Sequence, residues 1–141
     1  MAKYVLIDSG YWFGLYDNKD SYRDVSVELS KIIYDYTIII PYPSLYEVLN
    51  STFVKNKIAL ESMEAMMKSE KVEFIMDGDY RETALKNVYE VHKSPIPKIS
   101  LVDSIIREIV KDVNVKIDAL ITYNGRDFRD VCDIRNIPIL P

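Results

Sequence analysis

Asp8, Glu47, Asp103 and Asn124 are acid or amide side chains scattered along the chain, yet they share one local setting. Each lies just after an apolar strand-like run or in the opening turn of a helix-like segment. Asp8 closes Tyr4-Val5-Leu6-Ile7, and Glu47 sits one turn into the helix that follows Ile38-Ile39-Ile40. Asp103 occupies the first turn of a helix starting near Ser100, and Asn124 follows Ala119-Leu120-Ile121-Thr122. In an open α/β fold such positions gather beyond the carboxyl ends of the strands, where ligands bind. Three carboxylates meeting there repel one another unless a hard divalent cation holds them. The pattern therefore points to a magnesium or manganese site.

The elements that must position these residues follow from hydrophobic periodicity. Lys3 to Ile7, Thr37 to Ile40, Val72 to Met76 and Ala119 to Thr122 read as strands. Ile137 to Leu140 reads as a short edge strand, because Pro138 has no N–H for a ladder. A short helix is expected from Tyr11 to Tyr16, and a longer one from Tyr22 to Tyr36, with Val25, Leu29, Ile32, Ile33 and Tyr36 at helical spacing. Pro43 suits the first turn of the helix bearing Glu47, whose apolar face is Leu45, Val48, Leu49 and Thr52. Ile58 to Lys68 is methionine-rich and helical. Asp79 with Glu82 matches a capping box for a helix through Val91, and Pro95-Ile96-Pro97 must be a loop. Ser100 caps a helix with a clear stripe of Val102, Ile105, Ile106, Ile109 and Val113. Alternating strands and helices predict an α/β fold, with a mostly parallel sheet of four to five strands covered on both faces.

Each candidate has a purely structural alternative. Asp8 before Ser9 makes a good helix N-cap, and Glu47 complements a helix dipole. Asp103 lies three residues past Ser100 and four before Arg107, so a cap and a helical Asp–Arg pair account for it. Asn124-Gly125 makes a turn, with Phe128 plugging the core. None of these alternatives explains why the acids share one predicted edge.

Composition narrows the class. The 141 residues fit one domain, 1–141, with 48% hydrophobic and 28% charged residues. No apolar run approaches a membrane span, and no signal-peptide pattern opens the chain. One cysteine, Cys132, excludes an internal disulfide and fits the cytoplasm; one Cys with one His, His92, is too few for a zinc site. His92 beside Lys93 reads as a surface residue. The net charge is −4, and Asp8, Glu47, Asp103 and Asp127 account for all of it, leaving the remainder neutral. That balance argues against a broad basic DNA-binding face but not against metal-dependent work on phosphodiesters.

The ordered set resembles the PIN-domain ribonucleases, and especially the VapC-type toxins of bacterial and archaeal toxin–antitoxin pairs. The stretches that carry the resemblance are Val5 to Ser9, Tyr46-Glu47-Val48, Ser100 to Ile106, and Ile121 to Asn124 with Asp127-Phe128. They span essentially the whole chain. The resemblance implies a PIN-like three-layer fold and a metal-dependent endoribonuclease that leaves 5′-phosphate and 3′-hydroxyl ends. It implies that Asp8, Glu47 and Asp103 hold the magnesium or manganese, with Ser9 and Thr122 as supporting hydroxyls. Asn124 falls where many members carry a fourth acid; an amide supplies no charge, and Asp127 is the nearest acid. Homodimers and a small antitoxin covering the acidic cleft are further implications.

Arg126, Arg129 and Lys98 are candidate phosphate contacts. Tyr11, Trp12, Phe13 and Tyr16 could stack on bases, though core packing or a dimer seam suits most of them better. A second class of function is a PIN-like module that binds RNA or protein without efficient cleavage, a reading that Asn124 favours. A phosphoacceptor receiver domain, or a phosphatase with two acids spaced by one residue, fits poorly because Ile7 and Ser9 isolate Asp8.

Overall fold

Strand β1 (Tyr4–Ile7) is covered on both faces and lies at the centre of a five-stranded sheet. The computed structural model describes residues 2–92 and 98–141, with the side chains of Thr52 and His92 left aside. The other strands are β2 (Thr37–Pro41), β3 (Val72–Ile75), β4 (Ala119–Ile121) and β5 (Ile139–Leu140). Their order is β3-β2-β1-β4-β5, and every pairing is parallel. Parallel strands covered on both sides read as unbroken apolar runs, which is why the strand cores were visible in the sequence.

Helices α1 (Ser9–Tyr16), α2 (Arg23–Ile32), α3 (Tyr42–Leu49) and α4 (Lys57–Met67) lie in the first half of the chain. Helices α5 (Arg81–His92), α6 (Leu101–Lys111) and α7 (Arg129–Ile134) follow. The period of two along a strand sorts the core into two layers. Val5, Ile7, Ile38, Ile40 and Ile121 pack with Tyr11, Trp12, Leu29 and Met63. Leu6, Ile39 and Leu120 pack on the opposite face with Ile105, Ile106, Ile109 and Phe128. The expected α/β architecture, parallel and sheathed on both faces, is the observed one.

Several local expectations need correction. The Asp79–Glu82 capping box is not formed: α5 begins at Arg81, and Asp77 pairs with Arg81 at 3.1 Å instead. Helix α3 ends at Leu49, so Thr52 opens a 3-10 turn rather than extending the apolar face. Helix α2 stops at Ile32, short of Tyr36. Tyr11 and Trp12 are buried, while Phe13 and Tyr16 are partly buried against the same core, so this aromatic group is packing material. Cys132 is buried, and burial raises its thiol to about 11, consistent with the inert role expected. The expected Pro95-Ile96-Pro97 loop and the exposure of His92 lie outside the described residues. Among the described residues no helix is long and apolar enough to cross a membrane.

The crossing of α1 and α2 is tight at Gly14. A Cβ there would meet Ser26 Oγ at 2.1 Å and the Tyr22 carbonyl oxygen at 2.9 Å, whereas a Cβ on Gly78 would meet nothing within 4 Å. Gly14→Ala is expected to destabilise by roughly 1–3 kcal/mol, as overpacking does. Gly78→Ala should be close to neutral. Urea unfolding of the two variants checks the contrast, and equal midpoints would contradict the close approach.

Candidate functional site

The ladder between β1 and β4 continues one residue past β1, with the Asp8 N–H donating to the Ile121 carbonyl at 3.0 Å. This bond places the Asp8 side chain at the carboxyl edge of the sheet, where α1 begins. Asp8 is the N-cap of that helix: Oδ1 accepts from the Ser9 N–H at 2.7 Å and lies 3.4 Å from the Ser9 hydroxyl. Oδ2 accepts from the Thr122 hydroxyl at 3.0 Å. Thr122 Oγ1 in turn accepts the Asn124 N–H at 3.1 Å, tying the end of β4 into the same network. Capping alone does not require burial, yet Asp8 is only 5% exposed. Burial raises its carboxyl above the usual range; Ser9 and Thr122 oppose the shift, and the charge of Asp127 adds to it.

Three further acids stand in this field. Ser100 caps α6 by accepting the Asp103 N–H at 3.1 Å, which sets Asp103 in the first turn. Partial burial, then the charges of Asp8, Asp127 and Glu47, push Asp103 up to about 7. Glu47, on α3, is raised by partial desolvation and by Asp8, while the Ser9 hydroxyl opposes the rise. Glu47 is solvent-exposed, so water screens its share of this repulsion. Among the described residues, no Lys or Arg forms an ion pair with Asp8, Glu47 or Asp103. Asp8, Glu47 and Asp103 thus carry charge that no direct ion pair offsets among the described residues.

Asn124 and Asp127 take different places. Asn124 is exposed and precedes the 3-10 turn Gly125–Asp127, whereas Asp127 supplies charge felt by both Asp8 and Asp103. Asp127 thus joins the electrostatic cluster; the Asn124 amide has no charge to contribute. Among the described residues no three acid, histidine or cysteine side chains stand close enough to chelate an ion as they are placed. Electrostatic coupling acts over longer distances than coordination does, so the two observations describe an open cluster. The donor set is all oxygen and mostly anionic, which fits a hard divalent cation.

The expected Asp103–Arg107 pair is not made. Arg107 crosses instead to Asp130, with Nη1–Oδ1 at 2.7 Å and Nη2–Oδ2 at 2.8 Å, a two-bond pairing of guanidinium and carboxylate. Lys98, Arg107, Lys111 and Arg126 line a cleft of about 600 Å³ that also reaches Asp127. Arg126 is 94% exposed and touches Asp127 at 3.8 Å, and Arg129 is exposed at the start of α7. Sequence reasoning missed Tyr123. Its ring stacks on Tyr22 at 4.2 Å, its hydroxyl bonds with Ser26, and its edge lies 3.0 Å from where a Gly10 Cβ would be. It fastens the α1–α2 pair to the end of β4, through contacts with no local sequence signature.

No protein-family model matches the sequence, and no curated protein matches it either. Solved structures do share its fold. Mycobacterium tuberculosis VapC20, a sarcin–ricin-loop-cleaving toxin, superposes with a TM-score of 0.66 at 14% identity over 89% of this chain and 94% of that one. A chain of VapBC2 from Rickettsia felis, a structure bound to a DNA fragment from its promoter, gives 0.61 at 15% identity over 96% of both chains. The fold is therefore the PIN-like fold of VapC-type toxins, in agreement with the resemblance read from the sequence.

Asp103 holds its proton more tightly folded, near pH 7, than unfolded, near its ordinary 3.8. The stability gained from this is present at low pH and is lost as pH rises through about 7. In the presence of EDTA, Asp103→Asn should therefore melt higher than the parent by roughly 3 °C or more at about pH 8, with a smaller difference at about pH 5. Thermal melts at both values check this; a difference independent of pH would contradict the repulsive cluster.

Proposed function

We propose that this protein, a single domain over residues 1–141, is a divalent-metal-dependent endoribonuclease and the toxin of a toxin–antitoxin pair. The observation that carries the reading is the buried Asp8 at the end of the central strand, sharing a field with Asp103, Asp127 and Glu47 and unopposed by any cation among the described residues. The likeness in fold to a toxin described as cleaving the sarcin–ricin loop supports RNA as substrate class.

Asp8, Glu47 and Asp103 would hold one or two magnesium or manganese ions, with Asp127 adding charge and Asn124 a neutral oxygen. A divalent ion there supplies acidity to a water molecule and stabilises charge on the phosphoryl oxygens. The protein's own groups do the rest. Ser9 and Thr122 fix the Asp8 carboxylate through bonds to both of its oxygens, so its direction is set before any ligand arrives. Arg126, Arg129 and Lys98 are exposed and would meet the phosphates of an RNA strand.

Protein partners have a surface available. Leu45, Leu49, Leu60, Met63, Met67 and Phe74 line an apolar groove of about 320 Å³ on the α3–α4 side, next to the helix that carries Glu47. An antitoxin or a second copy of the chain would cover that groove. The comparison with VapBC2 supports the antitoxin. A cytoplasmic location fits the sequence, with its single buried cysteine. The openness of the acid cluster favours one alternative, a PIN-like module that binds RNA or protein with little cleavage.

Purified protein, freed of any copurified partner, is expected to cut a structured RNA pool with magnesium or manganese and not with EDTA. Asp8→Asn keeps a good N-cap, so the fold should survive while cleavage falls at least about a hundredfold. Thr122→Val should lose roughly 10–100-fold by freeing Asp8. No cutting by the folded parent under either metal would favour the binding module, and cutting that survives Asp8→Asn would refute the site.

A further inference from the structure

Arg107 lies one turn beyond Asp103 on α6, and its side chain is only 23% exposed. Besides gripping Asp130 with both nitrogens, its Nη1 donates to the main-chain carbonyl of Asp127 at 2.8 Å. One guanidinium thus ties helix α6 to both the 3-10 turn Gly125–Asp127 and the first turn of α7. The turn itself is short and held by few internal bonds: Asp127 N–H to the Asn124 carbonyl at 2.9 Å and Phe128 N–H to the Gly125 carbonyl at 3.1 Å. Three-residue 3-10 turns are intrinsically weak. Phe128, fully buried, anchors the turn's far end in the core. On the α6 side, the Arg107 fork bonds the Asp127 main chain directly, while Phe128 shares a core cluster with Ile105, Ile106 and Ile109 of the same helix.

We infer that Arg107 is a positioning residue that holds Asp127 in register with Asp103, so that the acidic cleft's grip on a divalent cation depends on the Arg107 fork. The inference rests on reading the cleft as a cation site. It gives a pair of residues on one helix two linked tasks, Asp103 as a donor and Arg107 as the strut for the neighbouring acid. A lysine cannot take over, because a point ammonium cannot hold a carbonyl and both carboxylate oxygens in one plane.

Electrostatics and positioning predict opposite signs, which makes the inference testable. Removing a positive charge beside an acidic cleft tightens cation binding by Coulomb's law alone. Loss of the strut weakens it. The test is Mn²⁺ binding to the full chain without RNA, with free Mn²⁺ read by electron paramagnetic resonance and folding followed by thermal melts. Arg107→Met should weaken Mn²⁺ binding by about tenfold despite the lost positive charge, and Arg107→Lys, which keeps the charge and guards against misfolding, should weaken it similarly. In an Asp127→Asn background the same Arg107→Lys change should add little, because the group it positions has lost its charge.

Unchanged or tighter binding by folded Arg107→Met and Arg107→Lys would overturn the inference. So would an equal weakening by Arg107→Lys with and without the Asp127 carboxylate. If Asp103→Asn and Asp127→Asn both leave Mn²⁺ binding unchanged, the cation site falls and the inference with it. If those two weaken binding and the Arg107 variants do not, the strut alone is refuted.

Discussion

A carboxylate buried at the end of a central parallel strand needs compensation, and Asp8 obtains it only in part. The Ser9 N–H and the Thr122 hydroxyl each bond one of its oxygens, but no cation pairs with it among the described residues. The rest of the site is arranged around that constraint. Parallel pairing of β1 with β4 brings Thr122 beside Asp8. Pairing of β1 with β2 aims α3, and hence Glu47, at the same edge. The topology concentrates negative charge where desolvation makes each acid more sensitive to the others. A structural cap alone would not require that concentration, since an exposed Asp caps a helix equally well.

The helices contribute in unequal ways. Helix α1 offers its N-terminus to Asp8, and its own fit against α2 depends on Gly14 and on the Tyr22–Tyr123 stack. Helix α6 has the strongest division of labour: its inner face fills the core with Ile105, Ile106 and Ile109, while its first two turns present Asp103 and Arg107. A site built on the ends of packed elements inherits their rigidity, whereas the turn that carries Asp127 needs external support. The open placement of the acids leaves any closer approach to side-chain rotation.

Much of this was legible in the sequence because its causes are local or periodic. Ile38-Ile39-Ile40 and Ala119-Leu120-Ile121 announce strands covered on both faces, and Ser100 announces the start of α6. The convergence of Asp8, Glu47 and Asp103 follows once the strands are parallel. What escaped depends on contacts between distant segments. Arg107 looked like a helical partner for Asp103, but planar pairing with Asp130, 23 residues away, satisfies both of its nitrogens. Asn124 and Asp127 could not be ranked, because their placement depends on the 3-10 turn Gly125–Asp127, which has no periodic signature. The Asp79–Glu82 pattern misled because Asp77 engages Arg81 and the helix starts later.

The proposed divalent-cation site joins Asp8, Glu47 and Asp103. Its most direct test is anomalous diffraction at the manganese edge from crystals of the unaltered protein grown with Mn²⁺. The account predicts a peak within coordination distance of Asp8 and Asp103, with Glu47 swung toward it. A cleft free of manganese while the ion binds elsewhere, or a peak that Asp8 does not contact, would contradict it.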